Sequence, residues 1–307
     1  MDILVGYTGF VGSNLYVQHS FNAVYNSKNI KEAYGSHPAQ CVYAGVRAEK
    51  FLANKAPDQD LELIKTAIEN IKKINPHRII LISTIDVFIN PNGADEATAV
   101  VTDGLHPYGY NRYYLEQWVR ENIQKHHIIR LPGLFGKNIK KNFIYDLINI
   151  LPSMLNEGKY TELAAKEPLI ANHYIKQENG FYKCTYQTKQ ERNALKQAFN
   201  RLGFSALNFT DSRGVFQFYN LDYLWKHIQI AVQNDIRLLH LAVEPVSVNE
   251  IYKAVRGRNF VNEVAQIAPR YDFRTMYSQL FNGSNGYIFG KQQVLEDIIR
   301  FVEGEGK

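Results

Sequence analysis

Gly6, Gly9 and Gly12 stand three residues apart in "VGYTGFVGSN", residues 5–14, directly after a short apolar run. That spacing suits a turn that holds a pyrophosphate. Gly6 allows a tight exit from a strand, Gly9 lets the backbone approach a phosphate, and Gly12 lets the next helix pack closely. The helix start, at Thr8, Phe10 and Val11, offers backbone N–H groups and a partial positive charge. Three glycines alone also suit a purely structural turn; the strand before and the helix after are the context the dinucleotide motif requires. An acidic residue after the second strand would hold a ribose 2′-hydroxyl, but that stretch reads "VYNSKN". Asn26, Ser27 and Lys28 stand there. Ser27 and Lys28 could bind a 2′-phosphate that a carboxylate would repel, so NADP is favoured over NAD.

The elements that would carry such a turn alternate. "DILVGY", "NAVYNS", "QCVYAGV", "RIILIST" and "HHIIRLPG" are short apolar runs of the kind buried on both faces of a parallel sheet. Between them lie helical stretches: "VGSNLYVQHSF", "NIKEAYG" closed by Gly35, "DLELIKTAIENIKKI" and "YYLEQWVRENI". The third is amphipathic, with Leu61, Ile64, Ala67, Ile68 and Ile71 on one face, and it stops before Asn75-Pro76. This order implies an α/β fold, a Rossmann-like doubly wound parallel sheet, with ligands beyond the carboxyl ends of the strands. Residues 1–136 are read as the dinucleotide-binding domain, with 213–247 returning to it. Residues 137–212 and 248–307 are read as a smaller, irregular substrate-binding lobe. "NFIYDLINILPSML", "KQERNALKQAFNRLGF" and "LDYLWKHIQIAVQN" read as helices, and "IRLLHLAV" as a buried strand. "SVNEIYKAV" is a helix with Ser247 as N-cap and Glu250 completing a capping box.

Composition is that of an ordinary globular chain: 307 residues, 45% hydrophobic, 21% charged, net charge +5. Basic residues are dispersed, so no nucleic-acid footprint is indicated. Two cysteines far apart, Cys41 and Cys184, argue against a disulfide framework or a zinc site, and Cys41 reads as core. The nine histidines show no metal spacing, and His126-His127 reads as structural. No apolar run is long enough to span a membrane, and the reading is a cytoplasmic protein.

Downstream lie "ILISTIDVF", "HPYGYNRYYLEQWV" and "IIRLPGLFG". Together with the glycine turn, and with "FQFYNLDYLWKHI" and "LLHLAVEPVSVNEI" further on, they resemble the extended short-chain dehydrogenase/reductase family over most of the chain. That family contains nucleotide-sugar epimerases, dehydratases and reductases. The resemblance implies a Ser or Thr at a strand end, then a Tyr and a Lys four residues apart on a helix. Thr84 matches the hydroxyl, with Ser83 as its deputy, and Tyr108 matches the acid/base. The implied chemistry is proton transfer at the Tyr hydroxyl while hydride moves at a nicotinamide. A nearby cation would bring the phenol down from about 10 towards neutrality. Residues four apart share a helix face, so Tyr108 and Arg112 can address one cofactor. Tyr110, Tyr113 and Tyr114 read as core rings.

Three positions depart from the family pattern. Its Lys is Arg112, whose planar fork keeps the charge but not the ammonium's position. Gly133 stands where an Asn often contacts substrate. The segment from Gly12 to "VYAGV" has room for one strand and one short helix where the family has two strands. Ala44 and Gly45 match the small residues that pass the cofactor, and Pro132 follows the fifth strand. Arg47, Lys50 and Asp86 could meet substrate, or be surface charges and a turn cap. The expectation is an NAD(P)-dependent reductase or epimerase for a nucleotide-linked sugar, with ketone reduction favoured and a homodimer implied by the family. The alternative is a relative that keeps the fold and the dinucleotide but not turnover, serving as a binding or regulatory module.

Overall fold

A computed structural model describes residues 1–305. Its centre is a six-stranded sheet, all parallel. The strands are β1 (Asp2–Val5), β2 (Ala23–Tyr25), β3 (Gln40–Tyr43), β4 (Ile79–Thr84), β5 (His126–Leu131) and β6 (Leu238–His240). Their order across the sheet is β6-β5-β4-β3-β1-β2. The helices that matter for the site are α1 (Phe10–Gln18), α2 (Lys50–Lys55), α3 (Pro57–Ile74), α4 (Pro107–Asn122) and α5 (Leu224–Gln233). The Rossmann-like class read from the sequence is therefore observed.

The apolar runs become strands because neither face can meet water. Ile3 and Leu4, neighbours on opposite faces of β1, are both fully buried, as are Cys41 and Val42 on β3. On one face α3 contributes Ile64, Ala67, Ile68 and Ile71, and α4 contributes Leu115 and Val119, to a cluster with Ile3, Cys41 and Ile79. Each large aliphatic side chain buried there stabilises the fold by about 1.5–3 kcal/mol. Helix α3 ends where expected: Asn75 takes a left-handed conformation with φ 50° before Pro76. Helices α1 and α5 are neighbours: the Gln18 amide donates to the Leu221 carbonyl and accepts from the Trp225 N–H.

The edge at β2 is short. The three residues of β2 are followed by a single 3₁₀ turn, Ile30–Ala33, and the chain then crosses to β3 on the other side of β1. The stretch "NIKEAYG" is thus a 3₁₀ turn and not an α-helix, though Gly35 does take φ 72° after it.

The chain divides into two compact units. The first comprises residues 1–139, 215–246 and 270–297. The stretch 270–297, placed in the lobe by the sequence, lies in this first unit. Glu96 fixes part of it, accepting from the Thr275 hydroxyl and the Met276 N–H as well as from the His240 N–H. Gln217 fixes another part, bonding Phe273 through both its N–H and its carbonyl.

The second unit comprises residues 140–214, 247–269 and 298–307, described to residue 305. Its core gathers Leu151, Leu155, Leu163, Ile170, Tyr174, Leu195 and Phe199. A three-stranded antiparallel sheet, Met154–Leu155, Tyr182–Cys184 and Tyr174–Lys176, lies in it. The expected helix at "NFIYDLINILPSML" covers only Phe143–Ile148, and Leu151-Pro152 follow its end, as the backbone restriction before proline favours. The capping box of Ser247 and Glu250 is present as read.

Two buried histidines make the first unit acid-sensitive. Burial holds His227 and His240 down at about 3, against an ordinary 6.5. The unfolded chain takes up these protons near pH 6.5 and the folded chain refuses them until about 3. Stability is therefore complete above about 6.5 and is lost as pH falls from there towards 3. Thermal melts across that window should show Tm falling with pH, and His240→Phe should reduce the slope. A flat Tm would contradict this.

Candidate functional site

Parallel strands end together, so the residues after β1, β3, β4 and β5 share one edge. The glycine turn leaves β1 there. Gly6 has φ 92°, and a Cβ on it would lie 2.4 Å from the Ala44 carbonyl oxygen. A Cβ on Gly12 would lie 2.1 Å from the Gly6 carbonyl oxygen. These two glycines are therefore imposed by backbone packing: Gly6 against Ala44 and Gly45, Gly12 against the turn itself. Gly9 is different. Its Cβ would meet one atom, the Gly6 oxygen at 3.3 Å, and Thr8 and Gly9 are exposed. Gly9 is the N-cap of α1, with no side chain capping the helix and no acidic residue in its first turn. The N–H groups at Phe10, Val11 and Gly12 begin this uncapped turn, which is a fit for an anion.

Asn26, Ser27 and Lys28 follow β2 at the same edge. The Asn26 side chain is spent on the turn, accepting the Lys28 N–H at 2.9 Å, while Ser27 and Lys28 are exposed. No carboxylate stands among the three.

Thr84, at the end of β4, meets Tyr108, in the first turn of α4. The Thr84 hydroxyl lies close enough to the Tyr108 phenol to lower its pKa, and accepts the Asp86 N–H at 3.1 Å. Gly109 makes this meeting possible. A Cβ there would lie 2.2 Å from the Asp86 carbonyl oxygen, so only glycine lets α4 start this close to the end of β4. The turn is further held by His106, whose Nδ1 accepts the Gly109 N–H, and by Asn54 of α2, which accepts the Tyr108 N–H.

Ser83 does not share the site. It points to the other side of β4 and donates to Glu116 at 2.6 Å. Glu116 is fully buried and also takes three bonds from Arg130 of β5. Gly133 opens a short strand, Gly133–Phe135, that pairs with Phe218–Asn220, and its Cβ would crowd the Gln217 carbonyl oxygen at 2.9 Å. Packing accounts for Gly133 being a glycine.

Arg112 lies with its guanidinium 4.2 Å from the centre of the Tyr108 ring. Its other contacts are fixed: it is ion-paired with Asp60 of α3 and donates to the Arg47 carbonyl. The side chains of Arg112 and Asp60 are only 6% and 7% exposed. Asn111 completes the arrangement by donating to the same Asp60 oxygen at 2.8 Å. Asp60 was missed in the sequence because it occupies the polar start of an amphipathic helix, where acidic residues are ordinary.

Asp86 carries two further contacts. Lys50 of α2 pairs with it at 2.9 Å, and the Tyr271 hydroxyl lies 3.5 Å from the same oxygen. Burial pushes the Tyr108 phenol above its ordinary value. Arg112 opposes that, Asp86 adds to it, and Thr84 and Lys50 oppose it more weakly. The net direction is upward, so the cation beside Tyr108 does not by itself bring the phenol towards neutrality, as the family resemblance had implied.

Two of the three remaining tyrosines of α4 correct the sequence reading. Tyr110 and Tyr114 are exposed, while Tyr113 packs against the cluster containing Ile85, Val87 and Phe88. Helix α4 buries one face on the sheet and α3, and these two rings lie off it.

Sheet order, glycine turn and strand-end residues define a doubly wound α/β protein with a dinucleotide-type turn. No protein-family model matches the chain, and no curated protein matches it in sequence. Solved structures do match over nearly the whole length. A dTDP-4-dehydrorhamnose reductase from Yersinia enterocolitica superposes with TM-score 0.64 at 13% identity, over 100% of this chain and 99% of that one. The dTDP-4-dehydrorhamnose reductase from Bacillus anthracis, in complex with NADP, gives 0.62 at 16%, over 99% and 98%. UDP-glucose 4-epimerase from Thermotoga maritima, with UDP-glucose, gives 0.60 at 14%, over 99% and 98%. At these identities the likeness establishes the fold.

The buried Arg112–Asp60 pair yields a stability prediction. Asp60→Ala leaves a buried guanidinium without its partner and should cost about 3–5 kcal/mol in urea unfolding. Asp60→Leu combined with Arg112→Leu should cost less than Asp60→Ala alone. A double variant as unstable as the sum of the single ones would contradict the pairing.

Proposed function

We propose that this chain is an NAD(P)-dependent oxidoreductase of the extended short-chain dehydrogenase/reductase kind, acting on a nucleotide-linked sugar. One observation carries the reading: the uncapped, glycine-lined turn after β1 shares a sheet edge with the Thr84–Tyr108 hydroxyl pair. The structural neighbours support it, since they are nucleotide-sugar reductases and an epimerase, one of them solved with NADP.

Gly6, Thr8, Gly9, Phe10, Val11 and Gly12 would hold the pyrophosphate, and Ala44, Gly45 and Pro132 would flank the cofactor further along the edge. When bound, the nicotinamide supplies the hydride acceptor or donor. The protein's part is to hold and move a proton. Tyr108 gives its phenolic proton to a ketone oxygen as that oxygen gains negative charge, or takes one from an alcohol. Thr84 donates a second hydrogen bond to the same oxygen, and Arg112 lies as a fixed cation against the ring. Ketone reduction is favoured over epimerisation; Gly133, where an Asn contacts substrate in epimerases and dehydratases, supports that choice. Sugar choice is assigned to the irregular stretch 137–212.

NADP is favoured over NAD because Ser27 and Lys28 are exposed after β2 and no carboxylate accompanies them. The exposed Tyr110 and Tyr114 of α4, with the exposed Leu63 of α3, support a homodimer through these helices. A reducing, cytoplasmic setting fits two cysteines that are both free. No helix among the described residues is long and apolar enough to cross a membrane. The fixed engagement of Arg112 is the observation that favours the second reading, a dinucleotide-binding module without turnover.

The test is NADPH oxidation with 4-keto nucleotide sugars. Turnover is expected, and Tyr108→Phe should lower kcat by about a hundredfold or more. Activity surviving that change would overturn the mechanism, and NADPH binding without any turnover would select the second reading. Lys28→Ala should weaken NADPH binding and leave NADH binding unchanged; equal effects on both would remove the NADP preference.

A further inference from the structure

Asp86 and Lys50 are not accounted for by packing. Asp86 follows Thr84 by two residues, and its backbone carbonyl is pressed against Gly109, so its position relative to Tyr108 is fixed. Its carboxylate is 20% exposed and would oppose any negative charge on the phenol. Lys50 is 39% exposed and reaches it from α2 at 2.9 Å. Burial works against the Lys50 charge, but Asp86 outweighs it and holds the ammonium above its ordinary value. The remaining groups facing this cluster are the Tyr271 hydroxyl, His106 at the start of α4, and Arg112. Burial and the Lys50 charge keep His106 low, so it adds no positive charge at neutral pH. Arg112 is held by Asp60 and the Arg47 carbonyl and cannot follow a charge that develops elsewhere. Lys50 has a flexible stem, partial exposure and a single carboxylate partner.

We infer that Lys50 is the charge-compensating residue of this site: its ion pair with Asp86 determines how readily the Thr84–Tyr108 pair carries negative charge. Arg112 is then a positioning residue with a constant field, and Lys50 the adjustable cation. The inference rests on the reading that Tyr108 is the acid/base group, but its test needs no nucleotide.

Ionisation of Tyr108 is read as the alkaline phenolate absorbance of the chain minus that of its Tyr108→Phe variant. Lys50→Met should move this titration up by about one pH unit, because the Asp86 charge is left unbalanced. Lys50→Arg should bring it back, and Asp86→Asn should move it down. The double variant Lys50→Met with Asp86→Asn should lie near the parent. Coincident titrations of the parent, Lys50→Met and Asp86→Asn would overturn the inference. If circular dichroism shows Lys50→Met unfolded, Asp86→Asn alone decides it. NADPH binding by the parent is measured separately. A responsive titration without binding sinks the functional reading and leaves this inference standing, and binding with an unresponsive titration does the reverse.

Discussion

The placement of α4 governs this site, and a buried carboxylate sets that placement. Glu116 is fully shielded from water and takes bonds from Ser83 of β4 and Arg130 of β5. An isolated carboxylate there would be severely penalised, so the helix must sit where all of these donors reach it. Two turns earlier, Gly109 lets the same helix touch the Asp86 carbonyl. Between these two anchors the start of α4 has little freedom. The closeness of Thr84 to Tyr108, on which the proposed proton chemistry depends, follows from them.

The same economy holds at the glycine turn. Gly6 and Gly12 are required by backbone contacts within the fold, whereas Gly9 leaves space open beside the uncapped start of α1. Three glycines that look equivalent in the sequence therefore divide into two that build the turn and one that faces outward. That division separates a structural turn from one suited to an anion, and the sequence motif cannot express it.

Much of the fold was legible. Continuous apolar runs such as "RIILIST" can only be buried strands, and the amphipathic period of α3 named its buried face correctly. Ser247 and Glu250 announced their capping box. Local signals failed where structure is held by long-range polar bonds. The stretch 270–290 has no period to read, because Glu96 and Gln217, far away in the chain, bond its backbone at Phe273 and Met276. The C-terminal helix, Lys291–Glu305, did leave a signal: Val294, Ile298 and Val302 recur every fourth residue and are all buried. Thr84 and Tyr108, paired by their motif, lie close together at the carboxyl end of β4. The partnership of Arg112 with Asp60, and of Lys50 with Asp86, joins residues more than thirty positions apart that look like surface charges. Ser83, read as the deputy to Thr84, bonds Glu116 instead, because adjacent residues of a strand face opposite ways.

On the proposed reading, the turn after β1 binds a nicotinamide dinucleotide. Gly9 has φ −77° and ψ 171°, a conformation open to any residue, and its Cβ would press only on the Gly6 oxygen at 3.3 Å, so Gly9→Val fills the cradle at a modest cost to the fold. The decisive measurement is NADPH fluorescence titration of the parent and of this variant, with thermal melts alongside. Saturable binding by the parent is expected, with loss of binding in a variant that still melts cooperatively. Undiminished NADPH binding by a folded Gly9→Val chain would contradict it.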